Sequence, residues 1–343
     1  MIDLDEQRLL VRHPSVLKLL LADKTTGKNI VWASDDYAHF GEGFLAEDQI
    51  LPECVTGEHA GLIRPRIQKT AEEQLRRTRS KAEVFTPSWT CNAQNSLVDD
   101  AWFGRKQVFN VLSEDMHAWS ATTAPIEFAA KGLKTWKRYV DERRLEITCG
   151  EAPYLASRYD AVTGNSIELS QRIGLLDRKL RVVGEQCADE AEWIKWAQRA
   201  VESIYGFEYQ GDSLLLAREN ILLTYLDYRE AAIGLDLGRY ELEKIANRIA
   251  WNIWQMDGLT YLPPFKARAT QKQPSLFDYL DEDEDSLVET GASEQTPWCQ
   301  LKDWRGREIV TFKQMVGKGE PRQGLQEQQQ NWRINGHEYT DKH

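Results

Sequence analysis

The sequence is marked first by what it lacks. No window approaches the ~18 consecutive apolar residues that a membrane span requires. The opening stretch, MIDLDEQRLLVRHPSVLKLLL, mixes charges with its apolar residues and has no small-residue cleavage site, so no secretion signal is expected. The five cysteines (Cys54, Cys91, Cys149, Cys187 and Cys299) form no CxxC pair, and the six histidines show no HxH or HxxxH spacing. Neither a disulfide framework nor a metal site is indicated, and a reducing, cytoplasmic compartment is the expectation. No repeat of 20–50 residues is present. A net charge of -11 excludes a protein that coats nucleic acid nonspecifically, because such binding rests on phosphate neutralisation. It leaves room for a local basic cleft.

What is present is an ordinary globular composition, 41% hydrophobic and 28% charged, over 343 residues, enough for about two domains. His13-Pro14-Ser15 opens an apolar helix that closes before the turn Asp23–Gly27, and Ile30–Trp32 reads as a strand. A polar helix is predicted over about 68–81. Leu145–Thr148 reads as a strand stopping at Cys149-Gly150. Helical spacing recurs over 190–206, 212–230 and about 239–254. Strands alternating with helices predict a mostly parallel sheet covered on both faces. Residues 266–295, with the run Asp281–Asp285, read as an acidic linker. Residues 297–316 read as a hairpin turning at Trp304-Arg305-Gly306, followed by a Gln-rich tail. Of the twelve tryptophans, most are expected in the core, since large aromatics carry much apolar area.

Several segments, in order, resemble one family. Glu83-Val84-Phe85-Thr86-Pro87 resembles the "FYTP" element of restriction-type DNA adenine methyltransferases, with Ser88–Leu97 as the helix that follows it. Leu145–Leu155 (LEITCGEAPYL) resembles the family's LDPACGSGxFL cofactor loop, and Tyr205-Gly206-Phe207-Glu208 its second acidic strand end. Trp251–Leu259 resembles its "NIxxGDxL" strand. The physical logic fits a nucleotide-like ligand: a strand ending in a glycine turn admits close backbone approach, and an acid on the next strand takes ribose hydroxyls. More broadly, the chain is similar to proteins described as "restriction endonuclease subunit M".

The resemblance implies a Rossmann-like methyltransferase sheet with helices on both faces over 81–265. An N-terminal α/β and helical cap (1–80) would precede it; the linker (266–295) and a small hairpin region (296–343) would follow. It implies S-adenosylmethionine as cofactor, held by Phe85, Thr86, Pro87, Glu146, Cys149, Gly150, Tyr154, Glu208 and Asp257. Glu146 would face the methionine amine, Glu208 the ribose and Asp257 the adenine amine. Double-stranded DNA is the implied substrate, with a nuclease or specificity subunit as a possible partner. Two basic clusters are the expected DNA contacts: Arg76, Arg77, Arg79 and Lys81, and then Arg178, Lys179 and Arg181.

Departures from the family pattern are equally specific. Ala152 replaces the loop's second glycine, with Glu151 and Pro153 beside it where small or neutral residues are usual. The catalytic tetrapeptide, [DN]PPY or [DN]PPF, is absent; its nearest approach is Leu262-Pro263-Pro264-Phe265, which leaves Pro263, Pro264 and Phe265 as the catalytic candidates. Two other readings therefore stay open: a non-catalytic methyltransferase-like subunit for DNA binding or assembly, and a different DNA base-modifying enzyme or glycosylase.

Overall fold

Three parallel strands organise the computed structural model, which describes residues 6–81, 86–235, 237–266 and 298–316. Helices α1 (Glu6–Arg12) and α2 (Pro14–Leu21) come first. Pro14 sits at the first helical position, where its missing N–H costs nothing. Val16, Leu17, Leu20 and Leu21 make the buried stripe of α2. The predicted turn is present, closed by the Asp23 carboxylate, which accepts from Thr25 N–H and from Thr26 N–H and hydroxyl. The predicted strand at Ile30–Trp32 does not form as such; it contributes one isolated bridge, Val31↔Gln49. The reason is a side chain from 224 residues away, Gln255, which takes both peptide groups of Val31. Helix α3 (Ala71–Lys81) answers the polar helix, and α4 (Ser88–Phe103) runs past the predicted Leu97 to a left-handed Gly104.

A small antiparallel pair follows, β1 (Asn110–Leu112) with β2 (Trp119–Ala121), then α5 (Trp136–Asp141) and β3 (Arg144–Glu146). After β3 come α6 (Leu175–Gln186), α7 (Glu190–Glu202), β4 (Ile204–Glu208), α8 (Gly211–Ile233), α9 (Arg239–Asn252) and β5 (Ile253–Gln255). The order β3-β4-β5 is parallel throughout, each step crossing over through a pair of helices. Two predicted helices are shorter than expected: α7 stops at Glu202 and α9 at Asn252, and the residues beyond them become β4 and β5. All five residues of β4 are buried, as in a sheet covered on both faces. Gly206 packs closely there, since a Cβ would lie 3.3 Å from Cys149 Sγ.

Alternation along β4 divides the interior. Ile204 joins a core with Ile253, Leu214, Ile245 and the N-terminal Leu17, Leu20, Ile30 and Trp32. The first 80 residues therefore share their core with the sheet. Tyr205 and Phe207 point the other way, into a second core with Trp254, Met256, Cys299, Leu301, Val310 and Phe312. That core is closed by β6 (Gln300–Asp303), β7 (Glu308–Thr311) and α10 (Phe312–Val316), a hairpin turning where expected. Among the described tryptophans only Trp32, Trp193 and Trp254 are fully buried; the rest are half-buried, against expectation. The expected linker lies outside the described residues except for Lys266, and so does the tail beyond Val316. No helix among the described residues is long and apolar enough to cross a membrane.

Candidate functional site

The carboxyl ends of β3, β4 and β5 carry Glu146, Glu208 and Gln255 as their last residues. The register sets Glu146 beside Gly206 and Glu208 beside Gln255, so β4 and β5 end level and β3 ends two residues short of them at the same end of the sheet. Both carboxylates gather backbone N–H groups. Glu146 accepts from Tyr154 N–H at 3.3 Å and Leu155 N–H at 3.2 Å. Glu208 accepts from Gly150 N–H at 2.9 Å, Tyr209 N–H at 2.9 Å and Gln210 N–H at 3.1 Å. The loop after β3 is thereby wound around the two acids.

That loop is bent at alternate residues: Thr148, Gly150 and Ala152 have φ of 46°, 52° and 62°. Glycine adopts this freely; Thr148 and Ala152 do so at a cost, held by Cys149 N–H donating to Phe207 O (2.8 Å) and Ala152 N–H donating to Cys149 O (2.7 Å). Burial pushes the Glu146 carboxyl well up; its two N–H donors oppose this, and the nearby Glu208 charge adds to it. Burial likewise raises Glu208. Cys149 is raised well above its ordinary value by burial and then by both acids, which keeps it a thiol rather than a nucleophilic thiolate.

The segment before α4 is close by. Cys91 Sγ contacts the Thr86 carbonyl at 3.8 Å, Tyr154 Oη donates to Gln94 at 2.7 Å, and Asn95 Nδ2 donates to the Tyr154 carbonyl at 3.0 Å. Pro87 caps α4. The fold thus brings together Thr86, Pro87, Glu146, Cys149, Gly150, Tyr154 and Glu208; Phe85 lies outside the described residues. Asp257, two residues past β5, is half-buried and closes its own turn by accepting from Leu259 and Thr260 N–H. Its charge helps to raise the Tyr209 phenol, after burial. Pro263 and Pro264 are buried, and Phe265 is 45% exposed with its ring 6.2 Å from Tyr209. Phe265 thus lies against the residue that directly follows Glu208 at the end of β4.

Three of the expected DNA contacts are interior, and this corrects the sequence reading. Arg77 is 1% exposed and donates to Asp36 at 2.6 Å and to Gln210 at 2.8 Å. It shares Asp212 with Lys69 and the Tyr37 hydroxyl. Burial acts to raise Asp212, but Lys69 and Arg77 outweigh it and hold the carboxyl well below the usual range. Arg178 is buried against Asp99 (2.6 Å) and Asn92 (2.7 Å). Lys179 is buried as well, donating to the Glu142 carbonyl and to Ser203 Oγ, and burial drives its pKa well down. Arg181 is half-buried and tied to Glu185 and the Thr122 carbonyl. The physical reason is packing on every side of α6, which contacts α5, α7 and α8. Arg76 and Arg79 are exposed, Arg76 paired with Asp36 at 3.3 Å; Lys81's side chain is outside the described set.

One residue of the site escaped sequence reasoning. Gln255, not Asp257, is in register with Glu208. Glu151, which departs from the family loop, is buried and accepts from Arg66 N–H at 2.6 Å and from the Tyr159 hydroxyl at 2.5 Å. The signal for Gln255 was its place two residues ahead of an acid. No group of three or more His, Cys, Asp or Glu side chains among the described residues is placed to hold a metal. Comparison with protein-family models, with curated proteins and with solved structures finds no match.

Proposed function

We propose that the chain is an S-adenosylmethionine-binding DNA adenine methyltransferase or modification subunit of a bacterial or phage restriction–modification or defence system. One observation carries the reading: two buried acids end adjacent parallel strands and bracket a left-handed turn, with Thr86-Pro87 packed alongside. Ligands of doubly wound sheets lie outside the carboxyl ends of the strands. A cationic cofactor suits this place, because burial disfavours both carboxylates and a positive charge offsets that penalty. Each oxygen of Glu146 accepts one N–H, which leaves a second lone pair for a ligand amine. In this reading Glu146 holds the methionine ammonium, Glu208 the ribose hydroxyls and Asp257 the adenine amine. The DNA face in this reading is Arg76, Arg79 and Lys81, with the half-buried Arg181 a lesser candidate and a nuclease or specificity subunit as partner.

The second reading, a non-catalytic methyltransferase-like subunit, is favoured by Leu262, which is 1% exposed and offers no hydrogen-bond acceptor to an extruded adenine. Calorimetric titration with S-adenosylmethionine and its demethylated product tests the cofactor assignment. Binding that is lost in Glu146→Ala and Glu208→Ala is expected; absence of heat at millimolar cofactor overturns it. Tritiated methyl transfer to unmodified DNA then separates the two readings.

A further inference from the structure

Helix α4 joins two different places. Its first turn follows Thr86-Pro87; its last turn, roughly 20 Å away at 1.5 Å per residue, borders a cavity of about 280 Å³. Trp102, Phe103 and Phe128 line it together with Arg105, Glu127 and Lys134. The rings meet closely: Trp102 and Phe103 are 4.7 Å apart at 69°, and Phe103 and Phe128 are 5.4 Å apart at 49°. Lys134 Nζ lies 4.6 Å from the Trp102 ring and donates to the Trp102 carbonyl. The Arg105 guanidinium is 5.8 Å from the Phe103 ring and donates to the Glu127 carbonyl at 3.4 Å. The loop carrying Lys134 is closed by Ala129 N–H donating to the Lys134 carbonyl.

Positive charge extends beyond the cavity. Residues 128–138 (FAAKGLKTWKR) carry Lys131, Lys134, Lys137 and Arg138, all exposed, with Lys137 paired to Glu192 at 3.2 Å and Glu127 the one acid directly before them. Lys106 adds another exposed cation beside Arg105. In a chain of net charge -11, this is a local reversal of sign. Aromatic faces beside a row of cations are what a flexible strand of nucleotides needs: bases stack on rings while phosphates follow the charges. The cavity falls just below the ~300–1,000 Å³ of small-molecule sites, enough for one base and not for a base pair in a duplex. An acidic peptide would use the cations and leave the ring-lined cavity without an occupant.

We propose that this cavity and the lysine-rich loop beside it bind a single-stranded nucleic acid, with one unpaired base among Trp102, Phe103 and Phe128 and the neighbouring phosphates on Arg105, Lys134, Lys106 and Lys131. The site shares no residue with the strand ends and does not depend on the cofactor reading.

Fluorescence anisotropy of the full chain with labelled (dA)12 and (rA)12 tests the assignment, the two strands separating a DNA ligand from an RNA one. At least one should bind. The double variant R105E/K134E alters exposed side chains, and its fold is checked by circular dichroism. It should weaken binding tenfold or more and reduce the log–log salt slope by about 1.4, at roughly 0.7 for each phosphate contact on a single strand. Trp102→Leu should weaken binding roughly five- to a hundredfold. The proposal is overturned by absence of strand binding at 50 mM salt, by binding that R105E/K134E leaves unchanged, or by a 12-base-pair duplex or dAMP competing as well as the strand. Cofactor calorimetry on R105E/K134E should match that of the wild type, which keeps this test separate from the strand-end site.

Discussion

Gln255 holds both peptide groups of Val31: the Val31 N–H donates to Gln255 Oε1 and Gln255 Nε2 donates to the Val31 carbonyl, each at 2.8 Å. The same Nε2 donates to the Tyr209 carbonyl at 2.8 Å. One amide thus bridges the N-terminal segment to the ends of β4 and β5. Gly211 completes the junction, since a Cβ there would lie 2.1 Å from the Val31 carbonyl oxygen. Gln255→Leu keeps the bulk and deletes three hydrogen bonds, so a loss of about 2–4 kcal/mol is expected. Urea denaturation measures it, and a midpoint that does not move would show that the clamp contributes nothing.

Asp212→Asn should be more damaging. It removes the anion facing Arg77 and Lys69 inside the protein, and breaking a buried pair costs about 3–5 kcal/mol. The sign with pH is definite. Asp212 is depressed below its ordinary 3.8 in the folded state, so its contribution is complete above that value and is lost as pH falls toward the folded one. The gap in stability between wild type and variant should be constant from pH 7 to 5 and shrink below about pH 4. A gap unchanged down to pH 2.5 would contradict the assignment.

Glu146 has the opposite sign. Burial raises its carboxyl above the ordinary 4.5, so the folded protein holds that proton to higher pH than an unfolded chain does, and acidification through this window favours folding. A cationic ligand demands the carboxylate. Affinity for S-adenosylmethionine should therefore climb as pH rises from 4.5 through the raised value, by at most about tenfold per unit, and then level off. Calorimetry in buffers of different ionisation enthalpy should register proton release on binding. A flat profile from pH 4.5 to 8 would exclude Glu146 as the acid that meets the ligand.

Restoring a polar residue at Leu262 should not create a catalyst. The side chain is buried, so Leu262→Asn trades apolar contacts for a buried amide and should destabilise the protein by about 2–4 kcal/mol. Tritiated methyl transfer by the purified variant should stay at the wild-type level. A clear gain would mean that this loop reaches DNA after all.

Local pattern carried much of the fold. The stripe of α2, the polar helix α3 and the turn of the C-terminal hairpin are each written within a few residues, whereas the end of α4, before Gly104, was missed by six residues. The two acids at the ends of β3 and β4 were singled out only through the family resemblance, since local spacing ran strand β3 on to Thr148 and carried a helix into the start of β4. Partners far away in sequence were not legible. Arg76, Arg77 and Arg79 look equivalent as letters, but only Arg77 has Asp212 opposite it, 135 residues later. Ile30–Trp32 has strand-like composition, yet only Ile30 and Trp32 meet backbone partners, while the groups of Val31 go to a glutamine side chain. The ends of α7 and α9 were overrun because apolar spacing does not change where a buried helix passes into a buried strand.

The second core has a consequence for the chain during its synthesis. Tyr205 and Phe207 are covered by Phe312 and the hairpin before it, about a hundred residues further along. At roughly 5–20 residues per second of translation, this face of the sheet waits on the order of 5–20 seconds for its cover. In that interval two aromatic side chains of β4 stand open on the nascent chain, and they are the place where a chaperone would bind it first.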